Sequence, residues 1–248
     1  MLFNYSGRDA HLVWYSQELF TAGLDNGYGR EILCRGFFLD SGAKIPMREL
    51  IPYLYRNTEL LLKMTSLQIK DALDAQFQDE SSIWINLAGP LIACDQLFQK
   101  LWQDVLLNLD EKQKQRIVLE ICEHDISDEL VSRRVSFLKQ HEFSIAMDDF
   151  GAGYSNLQRL LQAPFDIIKL DVKLLNDVPT DLWAASFYHQ IIKLCSSKGC
   201  IIVAEGVETQ LQSDFVRWAG VDLIQGYLYS TPSEHRYLVC GHTTDVTP

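Results

Sequence analysis

Six short apolar runs in this chain each end on polar side chains. Asn86 follows Trp84-Ile85, Glu120 follows Ile117-Val118-Leu119, and Asp148 and Asp149 follow Ile145-Ala146-Met147. Lys169 follows Ile167-Ile168, Glu205 follows Ile202-Val203-Ala204, and Gln225 follows Leu223-Ile224. Runs of this kind read as buried parallel strands, and a barrel enzyme builds its site where such strands emerge at their carboxyl ends. One acidic residue in such a place is ordinarily a helix cap; polar groups at six strand ends point to a common rim. With Glu31, that rim holds five carboxylates (Glu31, Glu120, Asp148, Asp149 and Glu205), the amides Asn86 and Gln225, and the ammonium of Lys169. Carboxylates this close repel one another, and hard divalent cations are their natural neutraliser. Oxygen donors without His or Cys favour Mg²⁺ or Mn²⁺ over zinc. Two such ions would clamp a phosphodiester and activate water for in-line attack.

The elements that must position these groups are legible from periodicity. His11 to Phe20 alternates polar and apolar, Asp25-Asn26-Gly27-Tyr28-Gly29 is rich in turn formers, and Glu31 to Leu39 follows, which predicts a β-hairpin. From Pro46 to Ala75 apolar residues recur at helical spacing. Strands are then expected at Ser82 to Leu87, Arg116 to Ile121, Ser144 to Met147, Asp166 to Leu170, Cys200 to Ala204 and Asp222 to Ile224. Helices over Pro90 to Leu109, Ser127 to His141 and Thr180 to Ser197 are long enough to return the chain to a parallel neighbour. Six strands and a hairpin make eight, the number that closes a barrel; an open doubly wound sheet is the alternative. Trp102, Trp183 and Phe187 lie on these helices and read as helix core, with an interaction surface as the other reading.

The chain has 248 residues and is 47% hydrophobic, 11% aromatic and 22% charged, which suits one globular domain, taken as residues 1–240 with a loose tail over 241–248. The formal charge of −11 gives no general field toward duplex nucleic acid or an anionic membrane, so an anionic ligand needs local cations or metal. The start lacks a secretory signal and no run approaches the span of a bilayer, which predicts a cytoplasmic protein without membrane insertion. The six cysteines form no CxxC pair and read as free buried thiols. Gly151-Ala152-Gly153 lacks the remainder of a dinucleotide or P-loop fingerprint and reads as a loop beside the aspartates. His124, the histidine nearest the rim, reads as a supporting or surface residue.

Glu31-Ile32-Leu33-Cys34-Arg35 resembles the signature that names the EAL-domain phosphodiesterases, and later motifs follow in that family's order. Asn86 matches its N-L-S element, Glu120-Ile121-Cys122-Glu123 its E-x-T-E element, and Asp148-Asp149-Phe150-Gly151-Ala152-Gly153-Tyr154-Ser155 its aspartate loop. Ile168-Lys169-Leu170-Asp171, Ala204-Glu205-Gly206-Val207-Glu208-Thr209 and Gln225-Gly226-Tyr227 through Pro232 complete the set, from about residue 10 to about residue 235. The resemblance implies a modified TIM (β/α)8 barrel with an N-terminal β-hairpin and one antiparallel strand. It also implies hydrolysis of cyclic di-GMP to linear pGpG with two Mg²⁺ or Mn²⁺ ions, often as a homodimer, in bacterial second-messenger signalling that governs biofilm and motility.

By that resemblance Glu31, Asn86, Glu120 and Asp148 hold one metal, and Asp148 and Asp149 reach the second. Lys169 orients water or phosphate, and Glu205 acts as general base or through a metal-held water. Gln17, Leu33, Arg35 and Gln225 bind substrate, while Glu123 and Glu208 anchor the loop after the aspartates. The chain departs from the family pattern at Ile32, Cys122, Ala88, Glu18 and Gly36, none of which removes a metal ligand or a charged catalytic group. The alternative reading is therefore a catalytically weak or silent module that binds cyclic di-GMP or a regulatory protein partner, with no sensor domain attached.

Overall fold

The hairpin and the six apolar runs close into a ring of eight strands. The structure is a computed structural model that describes residues 1–24, 26–74, 81–122, 126–152 and 156–234. Its strands are β1 (Leu2–Tyr5), β2 (Arg8–Thr21), β3 (Gly27–Phe38), β4 (Lys44–Ile45), β5 (Ser82–Leu87), β6 (Ile117–Ile121), β7 (Ser144–Phe150), β8 (Ile167–Leu170), β9 (Ile201–Ala204), β10 (Leu223–Ile224) and β11 (Ser233–Glu234). The ring runs β2-β3-β5-β6-β7-β8-β9-β10 and back to β2. From β3 through β10 its neighbours are parallel. Only β2 runs against both of its ring neighbours, β3 and β10. β1, β4 and β11 pair outside the ring, and sequence periodicity does not reveal them because each is only two to four residues long.

The lower barrel is plugged by one apolar side chain from each of seven strands: Leu19, Trp84, Val118, Ala146, Ile167, Val203 and Leu223. The eighth strand contributes Gly29 at this level, and a Cβ there would lie 2.6 Å from Trp84 Nε1. The missing side chain on β3 is thus the space shared by the Ser82 hydroxyl, 2.2 Å from the same point, and the Trp84 indole that donates to it. A larger second core packs the helices onto the outside of the ring. These layers are the packed interior and surrounding helical shell expected of a (β/α)8 barrel.

The helices are α1 (Met47–Arg56), α2 (Thr58–Asp74), α3 (Gly89–Ala93), α4 (Asp95–Asp104), α5 (Glu111–Arg116), α6 (Asp128–Gln140), α7 (Asn156–Gln162), α8 (Leu182–Ser197) and α9 (Gln210–Ala219). The single helix expected over Pro46 to Ala75 is two, interrupted at Asn57, whose N–H turns back to the Tyr53 and Leu54 carbonyls. The helix expected over Pro90 to Leu109 likewise breaks where Cys94 takes an extended conformation (φ −94°, ψ 116°). Apolar spacing continues across both interruptions, so periodicity alone joins what local turns separate. α6, α8 and α9 start on side-chain caps from Ser127, Asp181 and Thr209.

Trp102 is buried, as a core residue should be, but Trp183 and Phe187 are exposed and stack on each other, with centroids 5.3 Å apart. Helical spacing cannot distinguish a face turned to the barrel from one turned away. Among the described residues, no helix is long and apolar enough to cross a membrane. The described cysteines, Cys34, Cys94, Cys122, Cys195 and Cys200, are free thiols. Asp25, the tail 241–248, His124 and Cys240 lie outside the described residues.

Candidate active site

Side chains alternate between the two faces of a strand, so the residue two positions above each interior plug residue also faces into the barrel. Stepping two residues up the seven parallel strands leads from Gly29, Trp84, Val118, Ala146, Ile167, Val203 and Leu223 to Glu31, Asn86, Glu120, Asp148, Lys169, Glu205 and Gln225. On β2, which runs the other way, two residues back from Leu19 is Gln17, and Gln17 pairs in register with Glu31. A closed apolar layer therefore lies beneath a closed polar one, with one group from every strand.

Lys169 is fully buried at the centre of this layer. Its ammonium lies 2.8 Å from Glu120 Oε1, 2.8 Å from Glu205 Oε1, 2.9 Å from Asp148 Oδ1 and 3.6 Å from Glu31 Oε2. Asn86 Nδ2 donates to Glu31 Oε1 and Gln225 Nε2 donates to Glu31 Oε2, both at 2.8 Å, so the two amides fix that carboxylate from either side. The Cys122 thiol stands 3.4 Å from Asn86 Oδ1 and 3.5 Å from Asp148 Oδ2, within reach to donate a weak hydrogen bond.

The two aspartates reach the mouth together because β7 is bulged. Met147 pairs with Ile168 and Phe150 with Leu170, so Asp148 and Asp149 both lie opposite Lys169. Asp149 sits in the left-handed region, φ 54°, where Asp is tolerated better than most residues. In a regular strand one of the pair would face the helical shell; the extra residue re-aims it. Asp149 also meets Asp171, which caps the following turn by accepting the Lys173 N–H at 2.7 Å.

Five carboxylates around one ammonium leave an excess of negative charge in a buried place, and proton affinities respond. Burial, with the charges of Glu31 and Asp148, pushes Glu120 well above the usual carboxylate range despite Lys169. Burial, opposed by Lys169 and reinforced by Asp148 and Glu31, pushes Glu205 up to about 8. Burial, the charges of Asp148 and Asp171 and a side-chain hydrogen bond with Asp171 push Asp149 up to about 6. For Lys169 burial disfavours the charge, but Asp148, Glu120, Glu205 and Glu31 outweigh it and hold the ammonium well above its ordinary value.

The donor set fits hard divalent cations. Among the described residues Glu120 Oε2 is buried with no hydrogen-bond partner, as is Gln225 Oε1, and orphaned buried oxygens are what an ion would satisfy. Asp148, Asp149 and Glu205 each offer an oxygen within 4.8 Å of the others. Two divalent ions would supply the four positive charges the cluster lacks.

Beside the cluster opens a cavity of about 290 Å³, lined by Gln17, Glu31, Asp149, Glu205, Gln225 and Glu208 among others. Gln17 donates to the Ser230 carbonyl at 2.9 Å. Leu33 and Arg35 lie two and four residues above Glu31 on the same face of β3, higher than the cluster itself. Glu208 is exposed at the cavity edge, and Glu123 lies outside the described residues, as do Gly153, Tyr154 and Ser155 of the aspartate loop. Asp171 and Gly206, which belong to family-like motifs without an expected role of their own, also line the cavity, as does Val172, which no sequence motif marks. The apolar-then-polar step at the end of β8 was the available signal for Asp171. Gly206 takes φ 67° against Val172, and a Cβ there would fall 2.2 Å from Val172 Cγ2.

Fold and mouth together define a (β/α)8 barrel with an acidic centre built around a buried lysine. The sequence model of the EAL domain family matches residues 19–232. The chain belongs to the EAL domain family. It is 34% identical over 219 residues to the cyclic di-GMP phosphodiesterase PdeL of Escherichia coli (strain K12), covering 82% of this chain and 58% of that protein. It is 28% identical over 221 residues to the probable cyclic di-GMP phosphodiesterase PdeG of the same organism, covering 85% of this chain and 42% of that one. The chain thus spans about half the length of these relatives. The crystal structure of an EAL domain protein from Listeria monocytogenes EGD-e superposes with a TM-score of 0.80 at 24% identity, covering 90% of this chain and 89% of that one. The PaMucR phosphodiesterase in complex with c-di-GMP gives 0.76 at 26% identity, covering 92% and 94%.

Proposed function

We propose that this chain is a metal-dependent phosphodiesterase that opens cyclic di-GMP to linear pGpG. The observation that carries the reading is the ammonium of Lys169 enclosed by four carboxylates, one of them held by two amides, at the end of a barrel whose relatives are named for that substrate. Glu31, Asn86, Glu120 and Asp148 would hold one Mg²⁺ or Mn²⁺ ion, and Asp148 and Asp149 the other. When bound, the two ions supply Lewis acidity toward a phosphodiester oxygen and toward water.

The remaining work falls to the chain itself. Asn86 and Gln225 keep Glu31 from rotating, because each donates to a different oxygen of that carboxylate. Lys169 places a fixed positive charge under the reacting phosphate and cannot withdraw, being packed at the centre of its own counter-ions. Glu205, with its raised proton affinity, is suited to take a proton from the attacking water. Gln17, Leu33 and Arg35 carry the rest of the substrate, Arg35 on the phosphate that is not cut, while Glu123 and Glu208 anchor the loop beyond Asp149.

The substitutions at Cys122 and Ala88 lie beside this machinery and not in it. Ala88 is the cap residue of α3 and offers no side-chain cap, so the hydroxyl usual in the family is lost from a helix start. Cys122 keeps a donor within reach of Asn86 and Asp148. A second reading, a catalytically weak or silent module that binds cyclic di-GMP as a receptor or a regulatory protein partner, is favoured by the exposed apolar surface of α8 and α9, where Leu182, Trp183, Phe187 and Trp218 face outward. Both readings place the protein in cytoplasmic second-messenger signalling.

The experiment that separates them incubates the purified protein with cyclic di-GMP and Mg²⁺ or Mn²⁺ and follows pGpG by chromatography, with Glu31→Ala alongside. Metal-dependent product that vanishes in the variant is expected. Folded wild-type protein that binds the dinucleotide and never forms pGpG moves the assignment to the receptor.

A further inference from the structure

The β2–β3 ribbon continues above the barrel mouth, and its inner face is built for a flat ligand. From Gln17 and Glu31 upward the ribbon pairs Tyr15 with Leu33, Val13 with Arg35 and His11 with Phe37, without a register shift. By two-residue alternation these side chains share the face of the site. The alternate residues, Leu12, Trp14, Ile32 and Cys34 among them, are buried in the helical shell, whereas the inner-face residues are half-buried.

Three rings on that face form a ladder. His11 and Phe37 stack at 5.8 Å between centroids with planes 25° apart, and Phe37 and Tyr15 at 6.5 Å with planes 22° apart. The Arg35 guanidinium stands 5.7 Å from the Tyr15 centroid and donates to the Cys34 carbonyl at 2.8 Å. Among the described residues Arg35 has no carboxylate partner, although the chain carries an excess of acids. His11 Nδ1 is buried without a partner among the described residues. Near-parallel rings, an unpaired guanidinium and an unsatisfied ring nitrogen, all on one wall of a phosphodiester mouth, match a base, its phosphate and its polar edge. A purely structural ladder needs neither the cation nor the open nitrogen.

We propose that Tyr15, Phe37 and His11 form a platform for the second purine of a cyclic dinucleotide, the base farther from the phosphate held over Lys169. Tyr15 lies two residues above the Gln17 level, about 7 Å along the strand, so the platform begins one base-and-sugar step beyond the carboxylates. The proposal rests on the phosphodiesterase reading and adds to it the residues that select a dinucleotide over a small phosphodiester.

The test measures hydrolysis of cyclic di-GMP in Mn²⁺ and, in parallel, its equilibrium binding in EDTA by calorimetry. Phe37→Ala removes the middle ring and so breaks the ladder on which the base stacks, which should raise KM and weaken binding about tenfold. Turnover at saturation should change by less than about twofold, because the reacting end is untouched. Phe37→Tyr should restore both constants. Tyr15→Leu keeps apolar bulk, removes the ring at the end of the ladder nearer the carboxylates and serves where Phe37→Ala does not fold. An unmoved KM in an active, folded variant overturns the platform alone. Wild-type protein that neither binds nor hydrolyses the dinucleotide overturns the functional reading and the platform with it.

Discussion

Replacing Lys169 by Met keeps the length of the side chain and removes the cation on which the polar layer closes. In the wild-type protein that ammonium is within 3.6 Å of four carboxylates and fully buried. Removing one partner from a buried ionic cluster costs about 3–5 kcal/mol, because the charges left behind are neither solvated nor compensated. The cost depends on pH with a definite sign. Glu205 has its folded proton affinity raised to about 8, so between roughly pH 5 and 8 the folded chain binds more protons than the unfolded one and stability falls as pH rises. Without Lys169 further carboxylates join it, and each steepens the fall by up to about 1.4 kcal/mol per pH unit. Urea unfolding in EDTA, followed by tryptophan fluorescence at pH 5.5 and pH 8, should show Lys169→Met close to wild type in acid and severely destabilised in base. Excess Mn²⁺ should recover more stability in the variant than in the wild type. A variant as stable as wild type at pH 8 in EDTA would refute the claim that the ammonium neutralises the cluster.

Two further outcomes are expected from the same site and its surroundings. With Glu205 at about 8, Asp149 at about 6 and Glu120 also raised, adding Mn²⁺ to the metal-free protein at pH 7 should release at least about one proton, and fewer at pH 9; a dye titration in weak buffer that shows no release at pH 7 would contradict it. Tyr188 is fully buried on α8 and its hydroxyl has no partner among the described residues, so Tyr188→Phe should leave the fold intact and stabilise it by about 1 kcal/mol in urea unfolding, whereas a loss of stability would mean that the hydroxyl is engaged.

Much of the mouth is visible in the sequence because a barrel obeys two simple periodicities. Apolar strands announce themselves as short runs, and the polar residue that ends each run emerges at the rim, which is how Asn86, Glu120, Asp148, Lys169, Glu205 and Gln225 come together. Glu31 and Gln17 follow from the hairpin register. What the sequence conceals depends on local geometry and on facing. The bulge at Asp148 and Asp149 arises from pairing with β8, and no residue type in β7 prescribes it. The interruptions at Asn57 and Cys94 are hidden by apolar spacing that runs through them. Trp183 and Phe187 match the helical period as well as Trp102 does, and only packing shows that they turn outward. Asp171 is one residue past the end of β8, close enough to a recognised motif to be quoted and too near a helix start to be singled out.

The left-handed backbone at Asp149 also bears on how such a centre can be lost. Asn and Gly accept that conformation as readily as Asp, whereas a β-branched residue would strain it. Replacement by Asn needs a single nucleotide change, removes one formal charge and leaves the shape of β7 unaltered. On the proposed function, descendants of this chain would have a short route from catalyst to mute receptor, in which the mouth keeps its form while its chemistry falls silent. An alanine at the same position would blur the two effects, so asparagine is the substitution that isolates the loss of charge from the loss of geometry.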